Sequence, residues 1–331
     1  MNFFLKFFRI LPPELAHRFA LDSLNLIHKI GILNLFFKKP KTETFSFLGM
    51  DFSNRLGTAA GLDKNGDYMD CLGELGFGFL EVGTITPLAQ DGNPKPRVFR
   101  NFQDKSIINR LGFNNKGVDH LVKNLKSRSY KGIVGVNIGA NKKSEGEQRI
   151  KDYLLCIEKV YKYADYITVN ISSPNTPNLR DLHNANNLSN LLLSIENKAK
   201  ELKTDIPFLL KISPDETNES IENIIQAVEV SFFKGIIATN TTIDKTNLTN
   251  KKYKEIEGGL SGKPLMNRSN DKIKLIKSKS NGEIPVIGVG GVMDAEDFNK
   301  KIEAGSELVQ IYTGFVIKGP NVLNEILDKD D

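Results

Sequence analysis

The chain predicts an α/β protein of the (β/α)8 barrel class, a TIM barrel with an N-terminal helical extension. Three observations carry that prediction. The 331 residues with 40% hydrophobic content are enough for one large α/β core. After residue 45, short β-rich runs alternate with helical segments, the pattern of parallel strands joined by crossovers. Polar residues then collect just after the apolar runs, at the C-terminal strand ends where such barrels do their chemistry. A doubly wound sheet is the competing class, but its glycine-rich fingerprint should open the first βα unit, and no GxGxxG follows the first strand.

In chain order, residues 1–40 read as a separate helical extension and 41–331 as the barrel domain. The first eleven residues carry four phenylalanines and only two charges, Lys6 and Arg9. Those charges and Pro12-Pro13 interrupt the run too early for a signal peptide, and no stretch approaches the ~18 apolar residues of a transmembrane helix. Residues 13–30 repeat Leu15, Phe19, Ala20, Leu24 and Ile27 at helical spacing, between proline at the start and Gly31 at the stop. A second apolar piece covers 32–37. Two short greasy helices flanked by Lys29, Lys38 and Lys39 predict contact with a membrane interface; a helical pair packed on its own domain is the alternative.

Strands are expected near 56–59, 79–82, 133–138, 166–170, 208–212, 235–238, 286–289 and 308–311. Helices are expected near 68–75, 116–126, 147–163, 188–202, 216–231, 269–278, 295–304 and 322–327. A hairpin around Gly49 should plug the barrel bottom, and another, from 97–102 and 106–108, is inserted after the second strand. Cys71 and Cys156 sit in helical patterns far from any CxxC spacing and read as buried free thiols. His17, His28, His120 and His183 form no metal-ligand pair, so no metal is expected. The net charge of +5 is scattered without a basic block and gives no reason to expect nucleic acid.

The strand ends supply Ala59 to Lys64, Gly83-Thr84, Asn137, Asn170, Lys211, Thr239-Asn240-Thr241, Gly288 to Gly291 and Tyr312-Thr313-Gly314. Glycines after the last two strands let backbone N–H groups approach an anion, so a phosphorylated ligand is expected there, with Gly258 to Gly262 adding amides. The rim holds amides, hydroxyls and two lysines. It lacks histidine, cysteine and paired carboxylates, which removes the usual agents of hydrolysis and leaves hard chemistry to a cofactor. A phosphate grip with a lysine at an apolar strand end suits flavin mononucleotide, with Lys211 as the cation at its pyrimidine edge. Lys64 either pairs with Asp63 or binds a substrate carboxylate. Ser173, between Asn170 and Asn175 in Asn170-Ile-Ser-Ser-Pro-Asn175, is a hydroxyl aimed from a strand end.

Eight pieces in family order resemble the quinone-dependent (class 2) dihydroorotate dehydrogenases: Ala59-Ala-Gly-Leu-Asp-Lys64, Asn109-Arg-Leu-Gly-Phe-Asn-Asn115, Asn170-Ile-Ser-Ser-Pro-Asn175, Lys211-Ile-Ser-Pro-Asp215, Ala238-Thr-Asn-Thr-Thr242, Gly258-Gly-Leu-Ser-Gly262, Gly288-Val-Gly-Gly291 and Val309-Gln-Ile-Tyr-Thr-Gly314. The resemblance implies FMN held by Ala60, Gly61, Thr84, Asn137, Asn170, Lys211, Thr239, Gly262, Gly291, Tyr312 and Thr313. It implies substrate contacts from Lys64, Asn109, Arg110, Leu111, Gly112, Phe113, Asn170, Asn175, Asn240 and Thr241. Ser173 would take a proton from C5 of dihydroorotate while a hydride leaves C6, giving orotate for pyrimidine (UMP) biosynthesis. A serine is a poor base, so an ordered water or a similar group must accept its proton. Residues 176–185 are expected to form a lid.

Serine rather than cysteine at the base position, together with the extension, implies a membrane quinone as the electron acceptor. His17, Arg100 and Tyr312 would face the quinone. The implied setting is peripheral, on the cytoplasmic face of a bacterial inner membrane, with no iron–sulfur partner subunit. A dihydrouridine synthase would need a basic RNA surface, a fumarate- or NAD-linked relative would lack Ser173 and the extension, and an inactive scaffold would have lost rim residues.

Overall fold

The apolar runs predicted as strands pair in parallel and close on themselves. The computed structural model describes residues 9–175 and 185–328. Its strands are β1 (Phe45–Phe47), β2 (Met50–Phe52), β3 (Leu56–Thr58), β4 (Phe79–Ile85), β5 (Val98–Asn101), β6 (Ser106–Asn109), β7 (Ile133–Ile138), β8 (Tyr166–Asn170), β9 (Phe208–Ile212), β10 (Gly235–Ala238), β11 (Gly259–Gly262), β12 (Val286–Val289) and β13 (Leu308–Ile311). The closed barrel runs β3, β4, β7, β8, β9, β10, β12, β13 and back to β3, where Ile311 lies beside Thr58. These are the predicted strands, and a helix follows each of them close to its predicted place.

Two periodicities decide which way the side chains face. Leu80, Val82, Ile167, Val169, Leu210 and Ile212 are buried in the layer shared with the helices. Their alternates Phe79, Tyr166 and Leu209 join Ile237, Ile287 and Leu308 inside the barrel. Gly135 on β7 has to be glycine for this to work, because a Cβ there would collide with the Tyr166 ring. Local capping fixes helix starts: Thr217 Oγ1 accepts the Ser220 N–H ahead of Asn218–Glu229, and Asp294 accepts the Asp297 N–H ahead of Ala295–Glu303.

The β1–β2 hairpin closes the bottom as predicted. Phe52 is fully buried and meets Phe79 edge-on at 5.3 Å and Phe47 at 6.0 Å. The β5–β6 hairpin is also found, but it is not alone: β11 adds antiparallel to β6, making a three-stranded sheet. Cys71 and Cys156 are buried and free.

The helices Pro13–Lys29 and Leu33–Phe36 form an arm. Its inner face buries Ala16, Leu21, Leu24 and Leu33. Leu15 and Phe19, predicted in one stripe with Leu24, instead lie on an outer face that also exposes Leu26, Ile30, Leu35 and Phe36. The arm is tied down by Glu14 to Arg97 at 2.8 Å, Asp22 to the Tyr68 hydroxyl at 2.7 Å, and His28 to Glu74. Among the described residues no helix is long and apolar enough to cross a membrane.

Candidate active site

The C-terminal strand ends and the three-stranded sheet surround one cleft with about 980 Å³ of space free of protein atoms, part of it open to solvent. It is lined by Ala60, Gly61, Thr84, Asn170, Lys211, Thr239, Gly262, Gly291, Tyr312 and Thr313, and by Lys64, Asn109, Leu111, Gly112, Phe113, Asn175, Asn240, Thr241 and Ser173. Residues predicted from six barrel strands, the insertion and the 170–175 segment are therefore brought together. The lid expected at 176–185 falls outside the described residues apart from Ala185, which starts the helix Ala185–Leu202.

Two expected contacts do not line it. Arg110 turns outward, donating to the Pro96 carbonyl at 3.0 Å and approaching Glu257 at 3.8 Å. Asn137 lies one layer below, accepting from Thr84 Oγ1 at 2.6 Å. Of the two options for Lys64, the pair with Asp63 does not form. Asp63 accepts the backbone N–H groups of Asp67 (2.9 Å) and Tyr68 (2.8 Å), which fixes the loop, while Lys64 donates to Asn114. Burial pushes the Asp63 carboxyl up to about 7 against those two bonds. Burial, with the Arg97 charge adding, pushes Lys64 down to about 7. Lys64 thus reaches the cleft as a desolvated amine suited to receive a carboxylate.

Ser173 is buried beside the cleft, and its Oγ accepts the Asn175 N–H at 3.3 Å. A donor aimed at that oxygen favours its anionic form. Asn175 also donates to Asn109 Oδ1 at 3.3 Å, joining the Ser173 segment to β6. Lys211 is buried on the cleft floor, and burial lowers its pKa while Glu81, 3.9 Å away, opposes the shift.

The glycine end of β12 has the form of an anion cradle. Gly291 lines the cleft at φ +92°, and a Cβ there would meet the Met266 backbone at 2.5 Å, so this turn admits only glycine. Gln310 lines the same floor with a buried Oε1 that has no partner, an acceptor awaiting a donor from a bound molecule. The cradle, the floor cation and the orphan acceptor fit a phosphorylated ring system such as FMN. Among the described residues no three His, Cys, Asp or Glu side chains gather as a metal would need.

At the mouth, His17 Nε2 donates to the Leu62 carbonyl at 2.9 Å, and its ring lies parallel to Tyr312 at 6.4 Å. Burial pushes the imidazole down to about 4 and the Tyr312 phenol up to about 12, so both are neutral. Arg100 donates to the carbonyls of Arg9 (3.2 Å) and Leu11. Of the three residues predicted for a quinone, His17 lies on the arm, Tyr312 faces it, and Arg100 holds the chain that leads into it.

A dihydroorotate dehydrogenase family profile matches residues 43–329. The chain belongs to the dihydroorotate dehydrogenase family. Relatives named dihydroorotate dehydrogenase (quinone) include one from Marinobacter nauticus, 48% identical over 96% of this chain and 95% of its own length. Another, from Neisseria meningitidis, is 46% identical with the same two coverages. A crystal structure of DHODH in complex with ferulenol from Eimeria tenella superposes with a TM-score of 0.87 at 32% identity, covering 96% of this chain and 90% of that one. The class implied by Ser173 and the N-terminal extension is thus the class of these relatives.

The sequence reading missed Glu81, fully buried below the cleft. Its signal was a single carboxylate in the inward register of an otherwise apolar strand. Gln310, Leu265 and Val292 line the cleft without having been assigned to it.

Proposed function

We propose that this chain oxidises (S)-dihydroorotate to orotate, using FMN held in the barrel mouth, and passes the two electrons to a membrane quinone. One observation carries the reading: Ser173, Lys64 and the amides of Asn109, Asn175 and Asn240 share a single cleft with Lys211 and the Gly291 cradle. Gly262, Gly291 and Thr313 would hold the phosphate, and Lys211, Asn170, Thr84 and Thr239 the ring. When bound, FMN supplies an acceptor for the hydride from C6 and a relay for its electrons.

Everything else is done by side chains. Lys64 binds the substrate carboxylate, the asparagines orient the pyrimidine amides, and Ser173 Oγ takes the C5 proton and hands it to water. The phenylalanine ring of Phe113, held at φ +52°, closes one wall against solvent. The arm's apolar outer face supports a peripheral site on a lipid surface, where quinone enters past His17, Arg100 and Tyr312. Residues 1–40 then act as the quinone-access unit and 41–331 as the catalytic domain.

The test uses purified protein carrying its flavin. Anaerobic dihydroorotate should bleach it, and a short-chain quinone, but not NAD⁺ or fumarate, should restore the colour. Ser173→Ala should keep FMN while slowing bleaching about 10²–10⁴-fold. A protein that takes up no FMN, or a Ser173→Ala variant that bleaches normally, would overturn the reading.

A further inference from the structure

A carboxylate inside a barrel is costly unless every lone pair is answered. Glu81 on β4 has no exposed surface, and the layer beneath it is made of Phe79 and Tyr166 rings. Its two oxygens are surrounded only by donors. Oε1 accepts from Asn137 Nδ2 at 2.8 Å, and Oε2 accepts from Gln310 Nε2 at 2.7 Å, the Tyr166 hydroxyl at 3.1 Å and Thr168 Oγ1 at 3.2 Å. The Lys211 ammonium lies 3.9 Å away.

An ionised carboxylate accepts and never donates, so it commits each neighbour in turn. Asn137 must present Nδ2 to Glu81, which leaves its Oδ1 facing upward to accept from Thr84 Oγ1 (2.6 Å) and Asn170 Nδ2 (3.3 Å). Thr84 has then spent its one proton, and its oxygen accepts from Asn170 Nδ2 at 2.9 Å. Asn170 is held in the same sense from its other side, where Oδ1 accepts the Ser172 N–H at 3.2 Å and Asn240 Nδ2 at 3.3 Å. Thr84, Asn170 and Asn240 line the cleft; Asn137 and Glu81 do not.

We infer that Glu81 is a positioning residue: as a buried acceptor-only group it sets the donor and acceptor polarity of Asn137 and Thr84, and so the acceptors they offer to Asn170, and it is the counter-charge that holds Lys211 as a cation on the cleft floor. This rests on the proposed FMN site. No contact between Glu81 and any ligand is required, because its influence passes entirely through side chains that line or underlie the cleft.

Two variants test it. Glu81→Gln keeps the shape but puts an NH₂ group among donors, so one amide must invert or lose its bond. Adding Asn137→Asp moves the carboxylate one residue toward the rim. There it can accept from the new amide NH₂ below and from Thr84 and Asn170 above, restoring the upper polarity. The measurement is FMN affinity of the apo-protein by fluorescence quenching from pH 6 to 9, with thermal melting to confirm folding.

Glu81→Gln should bind FMN at least about tenfold more weakly, and E81Q/N137D should recover to within about threefold of the parent. The deficit of Glu81→Gln should widen as pH rises, because Lys211, stripped of its counter-charge, loses its proton sooner. Glu81 is the charged group facing Lys211, and the nearby Tyr166 phenol is held well above its usual range and stays neutral. A packing role alone would give a deficit that does not change with pH.

FMN affinity of Glu81→Gln within twofold of the parent at every pH overturns the inference, as does a folded double variant no better than the single one. If Glu81→Gln does not fold, the double variant must fold and bind FMN; one that stays unfolded overturns it too. A parent protein that binds no FMN defeats the functional proposal itself, and is told apart by that control.

Discussion

The two ends of this barrel are built from the same strands by opposite rules. At the closed end Phe52, Phe79, Tyr166, Leu209, Ile237 and Leu308 fill the interior with almost no polar atoms. Two residues further along four of these strands stand Glu81, Thr168, Lys211 and Gln310, and above them the rim amides. The closed end is stabilised by packing, whereas the open end is held by hydrogen bonds whose direction is fixed and whose burial is costly. Mutations at the bottom should therefore cost stability and spare chemistry, and mutations at the mouth should do the reverse.

The largest test of that contrast is Phe52→Ala. It removes a fully buried ring that plugs the bottom against Phe47 and Phe79, and should destabilise the protein by about 3–5 kcal/mol in urea unfolding. The fraction that remains folded should keep its kcat/KM with dihydroorotate. A large fall in kcat/KM at intact fold would mean that the bottom layer does position the rim.

How much of this was legible in the sequence follows the same division. The barrel strands could be read because apolar runs of the right length, bounded by turn residues, admit few other folds. The rim could be read because a polar residue after each run has no packing reason to be there. β11 could not: Gly259-Leu-Ser-Gly262 lacks β-branched residues, and its partner β6 lies some 150 positions earlier in the chain, so it passed as a loop of amide donors. Sequence adjacency left Lys64 open between Asp63 and a substrate carboxylate, because it could not show that Asp63 is consumed by two backbone N–H groups of its own loop. Arg110 shared a motif with true lining residues, yet its side chain leaves on the opposite side of β6 toward Glu257. Outward and inward positions alternate along a strand, and a motif match carries no record of which is which.

At the mouth, Lys64→Met should have a smaller effect that points in two directions. Losing the ammonium should weaken orotate binding about 10- to 100-fold, the worth of a charge-assisted hydrogen bond. Stability should move the other way. The folded pKa of Lys64 is lowered from 10.5 to about 7, so between those values the unfolded chain binds a proton that the folded one has lost, and parent stability rises with pH across that window. The burden of the buried charge is therefore greatest below pH 7. Lys64→Met should be more stable than the parent by about 0.5–2 kcal/mol at pH 6, and by less at pH 9. A variant that is destabilised at pH 6, or whose gain does not depend on pH, would show that Lys64 packs like a bottom residue.

The smallest change in stability should come from the arm, where the mouth end meets solvent. Phe19, Leu26 and Leu35 are 51%, 61% and 81% exposed, so replacing all three by serine removes little packing, and each site should shift stability by no more than about 0.5 kcal/mol. The inner contacts through Ala16, Leu21 and Leu24, and the Glu14–Arg97 ion pair, stay in place. If the outer face meets lipid, each lost side chain forfeits about 1.5–3 kcal/mol of transfer free energy. Co-sedimentation with anionic vesicles should then fall at least about tenfold, and turnover with a long-chain quinone in those vesicles should fall with it. Turnover with a short-chain quinone in solution should hardly change, since His17, Tyr312 and the cleft are untouched. Unfolding that is easier by more than about 2 kcal/mol would instead mean that these side chains are packed against protein, and that the arm follows the rule of the closed end rather than the open one.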